Sequence, residues 1–292
     1  MTATPAALDA VPGLRWSPRG YAALSGPLYE LAGRLQARFD ELAATWAAAP
    51  MAFPPFLAVT ELQRIDYFGS FPHLASFAVH LDGDEDEVAR FAAAPLAADG
   101  SAALTSLAPA HEVLTPAACY HLYVHFQGSA LAEARYLTTT ATCYRREAYY
   151  RPLERQWAFT MREVVAMGTG EEVRLFLARA REEVDGLAAA AGLPVRWVRA
   201  TDPFFRPSTN PQYLMQRIDP TKHELAYGDG LAIGSINLHH DHFGRAFSIE
   251  REGIPATTGC VAFGVERWLA AIVREHGPEA ENWPDLNGGT DG

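Results

Sequence analysis

CYRRE at residues 143–147 and GCVAFGVER at residues 259–267 are the two segments that decide the fold of this 292-residue chain. In an extended strand, side chains alternate between the two faces, so Arg145 and Glu147 lie on one face of the first segment. Phe159 and Glu163 likewise share a face of the strand expected next along the chain. The two strands therefore carry complementary chemistry.

This chemistry matches the parts of a nucleotide. An arginine fork binds a phosphate through two parallel hydrogen bonds, a carboxylate accepts from an exocyclic amine, and a phenylalanine ring offers a stacking surface for a base. Neither G-x-x-x-x-G-K-[ST] nor G-x-G-x-x-G occurs in the sequence, so there is no sign of a P-loop or a Rossmann phosphate cradle. The prediction is an ATP site of another construction.

The two segments resemble the class II aminoacyl-tRNA synthetases. RRE at 145–147 matches the R-x-E core of motif 2, and the glycine-containing run that ends in Arg267 matches motif 3. The seryl type is the most similar, because its strand after motif 2 carries an adenine-stacking Phe and, four residues on, an amino-acid-binding Glu. Phe159 and Glu163 occupy those places here. The resemblance implies an α+β fold with a mostly antiparallel sheet flanked by helices.

Three residues that are far apart in the chain resemble a zinc site. The combination of Cys119, Glu163 and Cys260 is similar to that of the archaeal-type seryl synthetases and of their truncated relatives, the amino acid:[carrier protein] ligases. The resemblance implies one Zn²⁺ per chain, with three protein ligands and an open position that accepts a substrate amine. The spacing alone matches no local zinc motif, and the alternative is that the cysteines are small buried hydrophobes.

The resemblance also implies roles for the other site residues. Arg145 and Arg267 are expected to be catalytic, and Glu163 and Asp202 to contact the amino acid. Asp202 precedes a proline, which restricts its backbone and suits it to hold an ammonium group, although an Asx turn is the alternative. The residues expected to bind ATP are Arg145, Glu147, Arg155, Phe159, Ser235 and Arg267.

The segment AIGS at 232–235 departs from the pattern of the seryl enzymes. They carry a Glu-Ile-Ser-Ser-like segment there that binds ATP and its magnesium, whereas this chain has Ala232 in place of the acidic residue. Mg²⁺ is usually held by few carboxylates together with phosphates and water. The sequence leaves three alternatives for the magnesium ligands: Glu250, Asp241, or the phosphates and water alone.

Two further features are interpreted as structural rather than functional. Cys143 lies inside the motif 2 strand without a role in the resemblance, so core packing is expected. LHHDH at 238–242 is a rival metal site, but a polar turn with hydrogen-bonded histidines is the preferred interpretation.

Composition and charge limit the classes of function. The net charge of −11, from 24 Lys+Arg against 35 Asp+Glu, is unfavourable for nucleic-acid binding over the molecule as a whole. No apolar run approaches the ~20 residues that span a bilayer, and no secretory leader is visible, so a cytoplasmic location is expected. Three cysteines do not make a disulfide framework.

The organisation along the chain is predicted from composition and periodicity. Residues 1–15 and 285–292 are expected to be flexible tails around one catalytic domain at 16–284. Helices are predicted within 20–49 and at 170–191 and 264–276. Strands are predicted at 76–80, 121–127, 135–144, 156–167, 195–200, 213–217, 223–227 and 231–237.

The acceptor of the activated amino acid separates the remaining hypotheses. The residues before Cys119 suffice only for the core's own helix and motif 1, which the sequence places loosely at 53–74, so no tRNA-binding arm is expected. The preferred prediction is ATP-dependent activation of a small amino acid and its transfer to the phosphopantetheine arm of a holo carrier protein, by a homodimer that binds neither tRNA nor membrane. The alternatives are a stand-alone seryl-type tRNA synthetase, a non-catalytic amino-acid or nucleotide sensor, and a zinc hydrolase that uses His239.

Overall fold

A computed structural model describes residue 8 and residues 11–286 of the chain. Its strands, in chain order, are β1 (Leu14–Ser17), β2 (Tyr21–Leu24), β3 (Ala49–Met51), β4 (Phe56–Ala58), β5 (Phe77–Ala78), β6 (Glu112–Leu114), β7 (Ala130–Leu131), β8 (Arg135–Tyr144), β9 (Ala158–Gly168), β10 (Val195–Ala200), β11 (Lys222–Tyr227), β12 (Leu231–His240), β13 (Glu250–Arg251), β14 (Ile254–Pro255) and β15 (Thr257–Gly264). Its helices are α1 (Gly26–Ala44), α2 (Val59–Arg64), α3 (Tyr67–Ser70), α4 (Glu85–Ala93), α5 (Tyr120–His125), α6 (Gly170–Ala190), α7 (Pro211–Ile218), α8 (His242–Phe247) and α9 (Val265–His276).

A seven-stranded sheet forms the centre of the molecule. Its strand order is β10-β11-β12-β15-β9-β8-β3, and every pairing is antiparallel except that of β3 with β8. The mostly antiparallel α+β architecture predicted from the sequence is confirmed. None of the helices in the described residues combines the length and apolar character required to cross a membrane.

Helices α1, α6 and α9 pack over one face of this sheet. On α1, leucines and Phe39 recur at helical spacing and are buried, and the Phe39 ring stacks on Phe263 of β15 with 4.2 Å between ring centres. Helix α6 begins with a capping box, in which Thr169 and Glu172 exchange side-chain and backbone hydrogen bonds. A second hydrophobic cluster lies against the other face and includes α5 and α8. The candidate site is on that second face.

Two predicted strands are helices in the structure. The segment 121–127 lies mainly in α5, where His121, Leu122 and Tyr123 are buried, so its aromatic and β-branched composition reflects burial rather than extension. The segment 213–217 lies in α7, which Asn210 caps by accepting from two backbone N–H groups. The strand predicted at 76–80 shrinks to two residues of β5.

The predicted tails are only partly covered by the description. Leu8 and Val11 are buried in the main hydrophobic cluster, and β1 begins at Leu14, so part of segment 1–15 is packed. Leu286 is buried in the same cluster. Residues 1–7, 9, 10 and 287–292 lie outside the described residues. The domain boundaries stay a prediction.

Candidate active site

The register of the central sheet brings polar side chains from separate strands into one row. Glu163 on β9 pairs with Ala262 on β15, Ala262 pairs with Ser235 on β12, and Ser235 pairs with Glu224 on β11. Directly paired residues project from the same face of a sheet. A carboxylate therefore stands at each end of the row, with small side chains between them.

A neighbouring row contributes a thiol and a cation to the same face. Cys260 on β15 pairs with Asn237 on β12, which pairs with Lys222 on β11. Because residues two apart on a strand share a face, both rows border one space. That space is a cavity of about 870 Å³. The ten site residues predicted from the sequence all line it: Cys119, Arg145, Glu147, Arg155, Phe159, Glu163, Asp202, Ser235, Cys260 and Arg267.

Cys119, Glu163 and Cys260 form a compact group of metal-binding donors. One donor atom from each lies within 4.8 Å of those of the other two, and all three residues are buried. Cys119 stands at the amino end of α5, and its backbone N–H donates to Oε1 of Glu163 over 3.1 Å. Two thiols and one carboxylate are a donor set that suits Zn²⁺.

The electrostatics of this group favour a cation between its members. The pKa of the Cys119 thiol is raised well above its ordinary value by its hydrogen bond to Cys260, by burial and by the Glu163 carboxylate. The hydrogen bond from Cys119 lowers the pKa of Cys260, but burial and Glu163 together raise it overall. The thiolate forms of Cys119 and Cys260 are disfavoured because both thiols are buried and lie close to the Glu163 carboxylate. A divalent cation relieves both penalties, so the residues fit zinc.

Arg145 is held between the end of β8 and the segment that precedes Cys119. Its Nε donates to the carbonyl of Pro116 over 2.8 Å, and its guanidinium lies 5.4 Å from the centre of the Phe159 ring. Cys143, which pairs with Phe159 across β8 and β9, is fully buried, as expected for a packing residue. The predicted phosphate-binding and base-stacking groups are therefore in contact.

Glu147 and Arg155, both expected at ATP, are bonded to each other. Nη1 of Arg155 donates to Oε2 of Glu147 over 2.7 Å, and its guanidinium lies over the Tyr149 ring at 4.7 Å. This ion pair connects two residues of the loop between β8 and β9. It holds both side chains at the cavity wall.

Arg267 lies in the first turn of α9 and supplies a second cation to the cavity. It donates to the carbonyls of Glu154 (2.8 Å, from Nε) and Ala232 (2.9 Å, from Nη1). Its pKa lies below the usual arginine value because of burial and the like charge of Arg145. Two cations that share a buried space are a fitting environment for a polyanion such as a triphosphate.

Asp202 already has a cationic partner within the chain. Its Oδ1 accepts from Nζ of Lys222 over 2.7 Å, and its Oδ2 accepts from Nε2 of Gln216 over 2.8 Å. Burial raises the pKa of this carboxyl, but the charge and hydrogen bond of Lys222 outweigh it and leave the pKa lowered. The role of Asp202 towards a substrate amine stays a prediction. Lys222 was missed, because its place beside Asp202 depends on a contact between distant segments.

Glu224 is a second candidate residue that the sequence did not predict. It lines the cavity opposite Ser235, and one of its oxygens lies 3.4 Å from Nζ of Lys222. Asp241 also lines the cavity but bonds to Arg245 over 2.7 Å. Glu250 is an exposed residue of β13, in a separate small sheet with β7 and β14. From the sequence, the alternation of side chains along β11 predicts that Glu224 lies on one of the two faces of the strand. It does not predict which face lines the cavity.

Segment 238–242 is the end of β12 and the start of α8 rather than a polar turn, although His239 is hydrogen-bonded as expected. His239 is half-buried. It belongs to β12, and its Nδ1 lies 3.1 Å from Oγ1 of Thr258 and 3.3 Å from the hydroxyl of Tyr123. Its Nε2 lies 3.7 Å from Sγ of Cys260. Burial lowers the pKa of His239 to about 3, so its ring is neutral at pH 7.

Comparison with protein families agrees with the geometry. The family described as tRNA synthetase class II core domain (G, H, P, S and T) matches residues 110–276. This range contains β8, β9, β15 and the three metal-binding donors.

Similar curated proteins fall into two groups. Amino acid–[acyl-carrier-protein] ligases 1 and 2 of Bradyrhizobium diazoefficiens are 35% and 36% identical over 246 residues, which is 80% of this chain and 73% and 72% of theirs. The type-2 serine–tRNA ligase of Methanopyrus kandleri is 28% identical over 191 residues, 59% of this chain and 36% of the ligase. The chain thus spans most of the first group and about a third of the second.

Similar solved structures share the fold. The seryl synthetase of M. kandleri, in a complex with tRNASec of A. aeolicus, has a TM-score of 0.80 at 20% identity, covering 94% of this chain and 57% of that one. Prolyl-tRNA synthetase of Giardia lamblia with prolyl-adenylate has a TM-score of 0.72 at 15% identity, covering 96% and 54%. The chain therefore spans a little over half of each of these proteins.

Proposed function

Since this chain belongs to the class II synthetase core family, and within it to the amino acid:[carrier protein] ligases, we propose that it activates a small amino acid with ATP and transfers it to the phosphopantetheine thiol of a carrier protein. The observation that supports the proposal is the set of ten predicted residues around one cavity, which groups the residues expected to hold an amine with those expected to bind a triphosphate. An amine site alone or a triphosphate site alone would not distinguish a ligase from a binding protein. Both sites in one cavity would place the amino acid and ATP close enough to react.

In the first step, a carboxylate oxygen of the amino acid attacks the α-phosphorus of ATP. The new P–O bond forms as the bond to pyrophosphate breaks, which gives an aminoacyl-adenylate. Arg145 offsets the negative charge that develops at the α-phosphate, and Arg267 binds the departing pyrophosphate. Phe159 stacks on adenine, and Glu147 accepts from its amino group. No side chain forms a covalent intermediate, because positioning and charge stabilisation supply the catalysis.

Cys119, Glu163 and Cys260 would hold the zinc ion. When bound, zinc supplies a Lewis-acidic position that selects a substrate with a free amine. Glu163 lies in the row of paired residues that continues through Ala262 and Ser235 to Glu224, so an amino group held beside Glu163 would lie in the same cavity as the residues assigned to ATP.

Ser235 and Glu224 are the residues that we assign to magnesium and ATP. A carboxylate and a hydroxyl are the oxygen ligands that Mg²⁺ prefers, and it completes its shell with phosphates and water. Glu224 takes the place of the acidic group that is missing at Ala232. Of the earlier candidates, Asp241 is occupied by Arg245 and Glu250 lies outside the cavity lining.

In the second step, the sulfur of the carrier's phosphopantetheine arm attacks the carbonyl carbon of the adenylate. The C–S bond forms, the C–O bond to AMP breaks, and the thiol proton leaves with AMP or to solvent. The higher identity and fuller coverage of the carrier-protein ligases favour this acceptor over tRNA. Homodimerisation and a cytoplasmic location remain predictions from the resemblance and the sequence.

Amino-acid-dependent pyrophosphate exchange tests the first step. A panel of small amino acids, with glycine, alanine and serine first, is assayed with zinc-replete enzyme, and the best substrate is then offered to a holo carrier protein. The expected result is exchange with one or a few amino acids, followed by a mass increase on the carrier. Absence of exchange with every amino acid would make the adenylation proposal wrong and would favour a sensor. Charging of tRNA without loading of the carrier would identify a synthetase instead.

A further inference from the structure

His239 adjoins one metal-binding residue without belonging to the metal-binding group. Its Nε2 lies 3.7 Å from Sγ of Cys260, within reach of an N–H···S hydrogen bond. The donors that approach one another within 4.8 Å, in the part of the chain that the structure describes, come from Cys119, Glu163 and Cys260. A tetrahedral ion requires all its ligands to be mutually close. His239 is therefore a neighbour of a ligand rather than a ligand.

A second donor from the same strand reaches the same sulfur. Nδ2 of Asn237 lies 3.3 Å from Sγ of Cys260 and 3.0 Å from the hydroxyl of Ser235. Asn237 and Cys260 are directly paired across β12 and β15. The strand β12 thus directs nitrogen atoms of two side chains towards the Cys260 sulfur.

We propose that His239 is a positioning residue that donates a hydrogen bond from Nε2 to the Cys260 thiolate when zinc is bound, an inference that rests on the proposed function. A metal-bound thiolate has no proton to offer, so the N–H must belong to the imidazole. Nδ1 is then the acceptor. The hydroxyls of Tyr123 and Thr258 are both within 3.3 Å of it, and either can donate. These contacts fix both the tautomer and the orientation of the ring.

This hydrogen bond has two consequences for the metal. Two thiolates and one carboxylate carry one more negative charge than Zn²⁺ neutralises, and a buried excess charge is costly unless hydrogen-bond donors surround it. His239 and Asn237 supply those donors. By withdrawing electron density from the sulfur, they also strengthen the Lewis acidity of the ion at its open position. His239 then affects both the affinity for zinc and the capture of the substrate amine.

A matched pair of variants separates hydrogen bonding from bulk. His239→Gln places an amide nitrogen near the position of Nε2, whereas in His239→Asn the amide reaches only the position of Nδ1 and cannot contact Cys260. We expect the Asn variant to lose zinc affinity by about 10–100-fold in competition with a chelator, and the Gln variant to lose less. In the Co²⁺-substituted protein, the thiolate-to-metal charge-transfer band shifts in the Asn variant. The KM for the amino acid rises more than the KM for ATP.

The controls make a negative result decisive. His125→Gln alters an exposed histidine at the end of α5 and leaves zinc affinity unchanged. Thermal unfolding verifies that both His239 variants are folded, and Tyr123→Phe, which removes one donor to Nδ1, provides a milder third perturbation. Wild-type zinc affinity and an unchanged cobalt spectrum in His239→Asn would overturn the inference while leaving the proposed function intact. Failure of the wild-type protein to bind zinc would overturn both the inference and the zinc site.

Discussion

Glu224 and Ser235 face each other directly across β11 and β12, although eleven positions separate them in the sequence. The pairing places a carboxylate beside a hydroxyl in the cavity that also contains both catalytic arginine candidates. We propose that this carboxylate, on the neighbouring strand, replaces the acidic residue that the seryl-type pattern has at position 232, where this chain has Ala232.

The first prediction concerns this carboxylate. Glu224→Gln removes one negative charge that we assign to Mg²⁺, so the Mg²⁺ concentration for half-maximal pyrophosphate exchange rises about tenfold, equivalent to ~1.4 kcal/mol. Glu250→Gln is the matched control, because Glu250 is exposed on β13 and does not line the cavity. An unchanged Mg²⁺ requirement in the Glu224 variant would remove it from the metal site.

The second prediction concerns the zinc ligands. Cys119→Ala removes one thiolate of the three-residue donor set, so bound zinc and pyrophosphate exchange fall together, and zinc is measured by elemental analysis of the purified protein. Cys143→Ala is the control: this thiol is also buried, but it lies outside the donor group. Undiminished zinc in Cys119→Ala would mean that the metal is held elsewhere.

The third prediction concerns the phosphate-binding arginine. Arg145→Ala lowers kcat of pyrophosphate exchange by about 10²–10³-fold, since loss of one donor to a developing anion has effects of that order. Arg145→Lys recovers little, because a lysine lacks the planar fork. The adjacent Arg146 is exposed and outside the cavity lining, so Arg146→Ala retains activity. Equal loss in both alanine variants would contradict a specific role for Arg145.

The fourth prediction concerns the pH dependence of stability from Asp202. Its folded-state pKa is lowered, so its pairing with Lys222 stabilises the protein above the unfolded-state pKa of about 3.9 and loses this effect as pH falls through the folded-state value. Asp202→Asn therefore lowers the free energy of unfolding at pH 7 by about 1–2 kcal/mol. We expect a loss near the smaller value, because the Asp202 side chain is 34% exposed to solvent.

Urea denaturation across a pH series provides the measurement. The stability difference between wild type and Asp202→Asn narrows below about pH 4. Asp229→Asn, in the exposed turn between β11 and β12, shows no such trend. A difference that stays constant down to the lowest pH at which both proteins are folded would refute the assignment of the pKa shift.

Local sequence was a good guide where one signal dominated. The strand predicted at 135–144 has the same bounds as β8, and the helix predicted from residue 170 begins there, because its capping residues determine where it begins. The prediction failed at 121–127 and 213–217. In α5, aromatic side chains are buried by tertiary contacts, and in α7, Leu214, Met215 and Ile218 remain exposed on a helix started by Asn210 and Pro211. Strand propensity does not distinguish such apolar helices from strands.

The residues of the candidate site also fall into those that the sequence predicted and those that only the structure revealed. The resemblance to the class II synthetases was enough to name ten residues that line one cavity. Lys222, Glu224 and the inward position of His239 came only from the folded chain. They depend on which strands pair and in which register, and a shift of one residue would turn each side chain to the opposite face. Residue types are local information, whereas the pairing of distant strands is settled by burial and hydrogen bonding over the whole sheet.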